Sequence, residues 1–189
     1  MLFSKLLRTT GTAALLAAVV SMPAGAAEMA NAQLKDSSGK AVGDVDLVQT
    51  KGGVLLKLQI KGLPAGERAF HIHAVGKCEA PFESAGPHFN PGNHKHGMMV
   101  GESHAGDLPN LHVPQSGELV VEVLNPAITL VKGKPNSIFD NDGASLVIHA
   151  KADDYKSDPA GNAGDRVACG VIQESGAGAA TVGGGPAAK

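Results

Sequence analysis

Alternating apolar and polar positions run through most of the chain. In Val54-Leu55-Leu56-Lys57-Leu58-Gln59-Ile60-Lys61, the side chains of Leu56, Leu58 and Ile60 share one face and Lys57, Gln59 and Lys61 the other, because successive strand residues point to opposite sides. Leu119-Val120-Val121-Glu122-Val123 alternates in the same way. Turn-forming clusters separate such runs: Asp36-Ser37-Ser38-Gly39, Lys51-Gly52-Gly53, Leu63-Pro64-Ala65-Gly66 and Pro114-Gln115-Ser116-Gly117. The pattern predicts strands near 30–35, 42–50, 54–61, 68–74, 108–113, 118–124, 144–150 and 167–173, with no amphipathic helix. Short strands at this spacing predict an all-β fold, an eight-stranded Greek-key barrel or sandwich. Residues 75–107 and 151–166 break the alternation and are rich in Gly, Pro, His and Asp. Unpatterned segments of that length inside a compact domain are usually functional or disordered, so two long functional loops are expected.

The ends of the chain read differently. Lys5 and Arg8 precede a small apolar run from Thr12 to Val20, and Pro23-Ala24-Gly25-Ala26-Ala27 follows before Glu28. That order predicts a secretory signal peptide over residues 1–26, removed after Ala26 or Ala27. The apolar run is far short of the roughly 20 residues that cross a bilayer, so export without a membrane anchor is expected. Residues 28–174 form the predicted domain, and the Gly/Ala-rich residues 175–189 a flexible tail that can bury little. The core must be built from Val, Leu, Ile and Ala, because Trp is absent, Tyr occurs once and Phe five times. A net charge of −2 argues against a nucleic-acid surface, which needs a basic stripe. Two cysteines, Cys78 and Cys169, form an even count that in an exported protein predicts a bridge. Closing so long a loop is worth roughly 4–5 kcal/mol in the chain-entropy model.

Six of the eight histidines fall into spaced groups: His71 and His73, His88, His96 with His104, and His149. His71 and His73 are two apart on a predicted strand and share its outer face, leaving Phe70 and Ile72 for the core. His149 repeats the design beside Leu146 and Ile148. His88, His96, His104 and Asp107 lie on one loop and make a four-ligand set of the kind zinc accepts. His94 competes with His96 for a place in that set. Taken alone, a His-x-His pair is as often a surface feature as a ligand pair.

Together these segments resemble the copper–zinc superoxide dismutases, and the export signal and short His71-to-Cys78 segment resemble the bacterial branch of that family. The matching stretches are Phe70-His71-Ile72-His73 with Gly76 and Cys78; Ser84 to Pro91 around His88; Lys95-His96-Gly97; His104-Ala105-Gly106-Asp107-Leu108; Leu146-Val147-Ile148-His149; and Gly161 to Ile172. They follow the family order and span the whole predicted domain. The resemblance implies one copper and one zinc ion per subunit. His71, His73 and His149 would hold copper, and His88 would bridge copper and zinc as an imidazolate. His96, chosen over His94 because it precedes Gly97, would complete the zinc site with His104 and Asp107. Asp153 would join His71 to His96 from behind the ligands, Arg166 would stand beside the open copper face, and Cys78 would pair with Cys169. The implied activity is dismutation of superoxide to oxygen and hydrogen peroxide in an exported compartment, most naturally a bacterial periplasm. A homodimer through an apolar barrel face is a further implied partner. The loop from His88 to Asp107 is about one residue shorter than the common eukaryotic form.

Other readings compete. An exported copper- and zinc-binding or buffering protein on the same fold would recruit His94, Met98 and Met99, but has no use for Arg166. A zinc hydrolase would need a general base beside three ligands, and Asp107 is better used as a ligand. His112, next to an apolar strand start, reads as structural or solvent-facing. Lys156 is the expected guiding cation for an anionic substrate.

Overall fold

The structure, a computed structural model, describes residues 28–175. The predicted signal peptide lies outside the described residues, as does the predicted tail beyond Ser175. Ser175 itself closes the last strand, paired with Met29.

Ten strands follow in chain order: β1 (Met29–Asp36), β2 (Ala41–Thr50), β3 (Gly53–Lys61), β4 (Gly66–Arg68), β5 (Phe70–His73), β6 (Leu111–Val113), β7 (Glu118–Asn125), β8 (Ser145–His149), β9 (Arg166–Val171) and β10 (Gln173–Ser175). One antiparallel sheet runs β5-β8-β9-β1-β2-β3-β7, with β10 also pairing β1, and β4 pairs β6 separately. The connections from β3 towards β5 and from β7 to β8 cross between the two edges of the sheet, which is the Greek-key pattern. Because β4 runs into β5 and β6 turns into β7, the small β4–β6 sheet spans the gap between those edges and curls the whole towards a barrel.

The predicted eight strands become ten because two of them change partners midway. At Ala69 the backbone N–H donates to Lys151 O at 2.7 Å and the carbonyl accepts from His149 N, so β4 turns to β6 while β5 pairs β8. At Ile172 the N–H goes to Ala144 O at 3.0 Å, dividing β9 from β10. Such switches depend on which strand lies alongside and leave no mark in the local alternation.

Val45, Leu47, Leu56, Leu58 and Ile60 are buried inside, with Leu47 opposite Leu56 and Val45 opposite Leu58. Outside, Lys57 reaches Glu122 and Lys61 reaches Glu118, both at 3.3 Å; exposed pairs of this kind contribute at most about 1 kcal/mol. Val120 departs from the pattern and is 81% exposed. β5 and β8 are buried on both faces. Their outer side is roofed by the two long loops, and Val147 packs there with Phe82, Ala85, Cys169 and Cys78. Cys78 and Cys169 are disulfide-bonded across 91 residues of chain, as the cysteine count predicted.

Candidate metal centre

Backbone lacing brings the histidine groups together before any side chain is considered. Ile72, between His71 and His73 on β5, donates to Gly106 O at 2.9 Å and accepts from Phe89 N at 2.8 Å, while Gly106 N donates to Phe89 O at 2.8 Å. Both ends of the 88–107 loop are thereby fastened to one strand, with His73 bridged to His88 and His71 to Asp107. His149 ends β8 where the register against β9 shifts after Ile148; an irregularity of this kind re-aims a side chain. Gly97 has φ +116°, and a Cβ there would strike the carbonyl of Tyr155, so only glycine lets the loop after His96 pass under the second loop. His71 and His73 keep the predicted outer face but are fully covered rather than solvent-facing.

Ligand-capable atoms gather in three groups, each within 4.8 Å: His71, His73, His88 and His149; His88, His96, His104 and Asp107; and His71, His96 and Asp153. In the first group, His73 Nδ1 donates to Gly86 O at 2.8 Å and His149 Nδ1 to Gly164 O at 3.2 Å. Their Nε2 atoms are thus turned inward and stand 3.4 Å apart. In the second, Asp107 Oδ1 lies 2.9 Å from His88 Nδ1 and 3.0 Å from His96 Nδ1, and His104 Nδ1 lies 3.4 Å from His88 Nδ1. His88 belongs to both groups, with its Nδ1 facing the second.

Two buried nitrogens, His71 Nδ1 and His88 Nε2, have no hydrogen-bond partner. Leaving a buried polar atom unpaired costs about 1–3 kcal/mol. Both atoms belong to rings of the first group, and a cation bound there satisfies them. The donor set fits as well: imidazole suits copper and zinc, and three imidazoles with one carboxylate suit tetrahedral zinc.

Asp153 links the groups from behind, with Oδ2 2.8 Å from His71 Nε2 and Oδ1 3.0 Å from His96 Nε2. It is buried and lies tight against Gly161, where a Cβ would overlap its carboxylate. Neither Gly161 nor Asn110, which bonds the Asp153 backbone, was given a role from the sequence. A lone asparagine flanked by Pro109 and Leu111 carries no signal of its own.

Burial and charge set the protonation of the metal-free site. Burial depresses His71 to about 4, His149 to about 3 and His73 to about 2, so these rings stay neutral and able to ligate well into acid. Burial likewise lowers His104. For His96 burial pulls down, but hydrogen bonds to Asp107 and Asp153 prevail and raise the ring to about 9. Asp107 and Asp153 resist the upward pull of burial because they accept from histidines, and both lie far below the ordinary carboxylate range.

Over the first group opens a cavity of about 780 Å³, lined among others by His73, His88, His149 and Arg166. Arg166 donates from Nη1 to Phe82 O at 2.7 Å and from Nη2 to Gly86 O at 2.9 Å. Its guanidinium is therefore held at the cavity wall by the disulfide-tied segment.

A family profile described as "Copper/zinc superoxide dismutase (SODC)" matches residues 41–172. "Superoxide dismutase [Cu-Zn] 1" of Aquifex aeolicus is 53% identical over 146 residues, covering 76% of this chain and 86% of that protein. The chain belongs to the copper/zinc superoxide dismutase family. "Superoxide dismutase [Cu-Zn]" of Caulobacter vibrioides is 42% identical, with 76% of this chain and 85% of that one covered. Among solved structures, a SOD-like protein from Bacillus subtilis superposes with a TM-score of 0.71 at 40% identity, covering 74% of this chain and 95% of that one.

As a copper/zinc superoxide dismutase family member, the chain leaves His94 and His112 outside both ligand groups, as expected from the sequence. His94 joins neither ligand group; it sits at the cavity rim with Nδ1 3.3 Å from Glu102. His112 is exposed and pairs with Glu67 at 3.3 Å. Met98 and Met99 are exposed on the loop surface. Among the described residues no lysine lines the cavity; Lys156 is exposed on the second loop, and the wall carries Arg166 with Asp140, Asp142 and Asp158. No helix among the described residues is long and apolar enough to cross a membrane.

Proposed function

We propose that this chain dismutes superoxide, holding copper on His71, His73, His88 and His149 and zinc on His88, His96, His104 and Asp107. The observation that carries the reading is the double orientation of His88: Nδ1 lies 2.9 Å from the Asp107 carboxylate, whereas Nε2 is buried without a partner and belongs to the first histidine group. When bound, copper supplies reversible one-electron exchange with superoxide, and zinc a fixed positive charge.

The chain's own residues supply the rest. Two superoxide ions and two protons yield one oxygen and one peroxide molecule, so protons must reach the cavity. His88 lines the cavity, and its Nε2 would hold one and pass it to departing peroxide only while that nitrogen is not ligating copper. Arg166 holds the small anion through its permanent charge. Asp153, accepting from both His71 and His96, keeps their Nδ1 atoms turned to the two metal sets. A buffering protein would not need an arginine at the wall of this cavity, so the enzymatic reading is preferred.

The bonded disulfide fits an oxidising, exported compartment, and the periplasm is the assignment we favour. The exposed Val120 and Leu124 of β7 are the surface through which we expect two copies to pair, with gel filtration as the check.

Superoxide consumption by the copper- and zinc-loaded protein tests the activity. The loaded wild type should be active and the chelated protein inactive. Arg166→Ala should lose about 10- to 100-fold in rate, the equivalent of one charge-assisted hydrogen bond. A full rate in Arg166→Ala would reject the role given to this residue, and an inactive loaded wild type would reject the function.

A further inference from the structure

Asp153 is gripped by a residue that has no place in the chemistry above. Asn110 lies three positions after Asp107, just before β6. Its Oδ1 accepts from the Asp153 N–H at 2.8 Å, and its Nδ2 donates to the Asp153 carbonyl at 2.9 Å. One side chain therefore satisfies both backbone groups of a buried residue and fixes its position and its tilt together. The backbone N–H of Asn110 donates to the Tyr155 hydroxyl at 2.6 Å, and the Tyr155 N–H donates to Asp153 Oδ1 at 2.7 Å. Asn110, Asp153 and Tyr155 thus close a ring of hydrogen bonds. Tyr155 O also accepts from Met99 N at 3.2 Å, so the ring fastens the two long loops to the start of β6.

We infer that Asn110 is a positioning residue that sets where the Asp153 carboxylate stands between His71 and His96. The inference rests on the metal reading above. Asp153 serves both rings from one carboxylate, at 2.8 and 3.0 Å, so a shift of its backbone turns both rings at once. The grip needs one acceptor and one donor on a short side chain, which asparagine offers and aspartate does not. An aspartate at position 110 sets a lone pair against the Asp153 carbonyl. Because Asp107 and Asn110 share one short segment, the zinc-set carboxylate and the clamp on Asp153 move together.

The chain has one Tyr and no Trp, so its intrinsic ultraviolet emission reports on Tyr155 within this ring. The test titrates the full metal-free protein with Zn(II) alone, and separately with Co(II) alone as a visible-spectrum probe. In wild type, Tyr155 emission should change in step with zinc occupancy. Asn110→Asp should weaken zinc binding by about 10-fold, the low end of the range for groups that bond metal ligands directly because Asn110 acts through Asp153, and should shift the Co(II) bands. Tyr155→Phe, which removes only the hydroxyl contact, should give a smaller loss of zinc affinity. A folded Asn110→Asp with wild-type zinc affinity and Co(II) bands overturns the inference. Should Asn110→Asp fail to fold, Tyr155→Phe and the wild type decide: unchanged zinc affinity in the first, with emission indifferent to zinc in the second, also overturns it. A wild type that binds neither ion fails the metal reading instead, so the two failures are distinguishable.

Discussion

His96 is pulled in two directions, since burial favours the neutral ring whereas Asp107 at one nitrogen and Asp153 at the other favour the imidazolium. The carboxylates prevail and raise it to about 9. In the metal-free protein His96 therefore adds stability that is complete below the unfolded-state value near 6.5 and lost as pH rises through about 9. His71, depressed to about 4, and His149, to about 3, act oppositely: unfolded rings take up protons below about 6.5 that the folded rings refuse, so stability falls as pH drops from there. The chelated protein should thus be most stable near pH 6.5. Thermal melts across pH 4 to 9.5 check this, and a midpoint still climbing from pH 6.5 to 9 would contradict the assignment. At this scale the sequence named the six clustered histidines, Asp107 and Asp153 by pattern and resemblance. It could not name the glycine and asparagine that hold Asp153, because their roles depend only on what lies beside them.

Among the structural elements, the segment from Cys78 to Gly86 decides how Arg166 is presented. It is bonded to β9 through Cys169, packs Phe82 and Ala85 on Val147, and offers the Phe82 and Gly86 carbonyls to the guanidinium. Cys78→Ser with Cys169→Ser should therefore have two effects. Stability should fall by about 2–5 kcal/mol, as for other native bridges, read from urea melts. Superoxide consumption should also fall while zinc stays bound, because Gly86 O holds His73 Nδ1 at 2.8 Å as well. Loss of stability with an unaltered rate would remove this segment from the positioning of Arg166. The alternation along β2 and β3 was legible because each has one face on the core. The partition of 68–74 and 167–173 was not, because hydrogen-bond partners change at Ala69 and Ile172 without any change in side-chain pattern.

For the molecule as a whole, the charge at the cavity differs from what the neighbouring sequence suggests. Residues 151–166 are nearly balanced, yet the walls combine Arg166 with Asp158 and, from the β7–β8 connection, Asp140 and Asp142. Screening lengths shrink from roughly 30 Å at 0.01 M salt to 10 Å at 0.1 M, and exposed charges are screened more than covered ones. Asp140, Asp142 and Asp158 are exposed whereas Arg166 is half-buried, so added salt should weaken the carboxylates more than the arginine. We expect kcat/KM for superoxide to rise, by about twofold, over that range, and Asp140→Asn with Asp142→Asn to abolish the rise. A rate that falls with salt in the wild type would show that positive charge governs the approach. What the sequence by itself determined is the set of parts, which follow from side-chain type and local spacing: strands with one apolar face, two long loops, histidines grouped on two strands and the first loop, and a cysteine pair; the family resemblance came with them. The tertiary structure alone decided the clamp on Asp153 and the carboxylates of the mouth. Each of these is a meeting of residues distant in the chain, created when the sheet curls and brings its loops against β5 and β8.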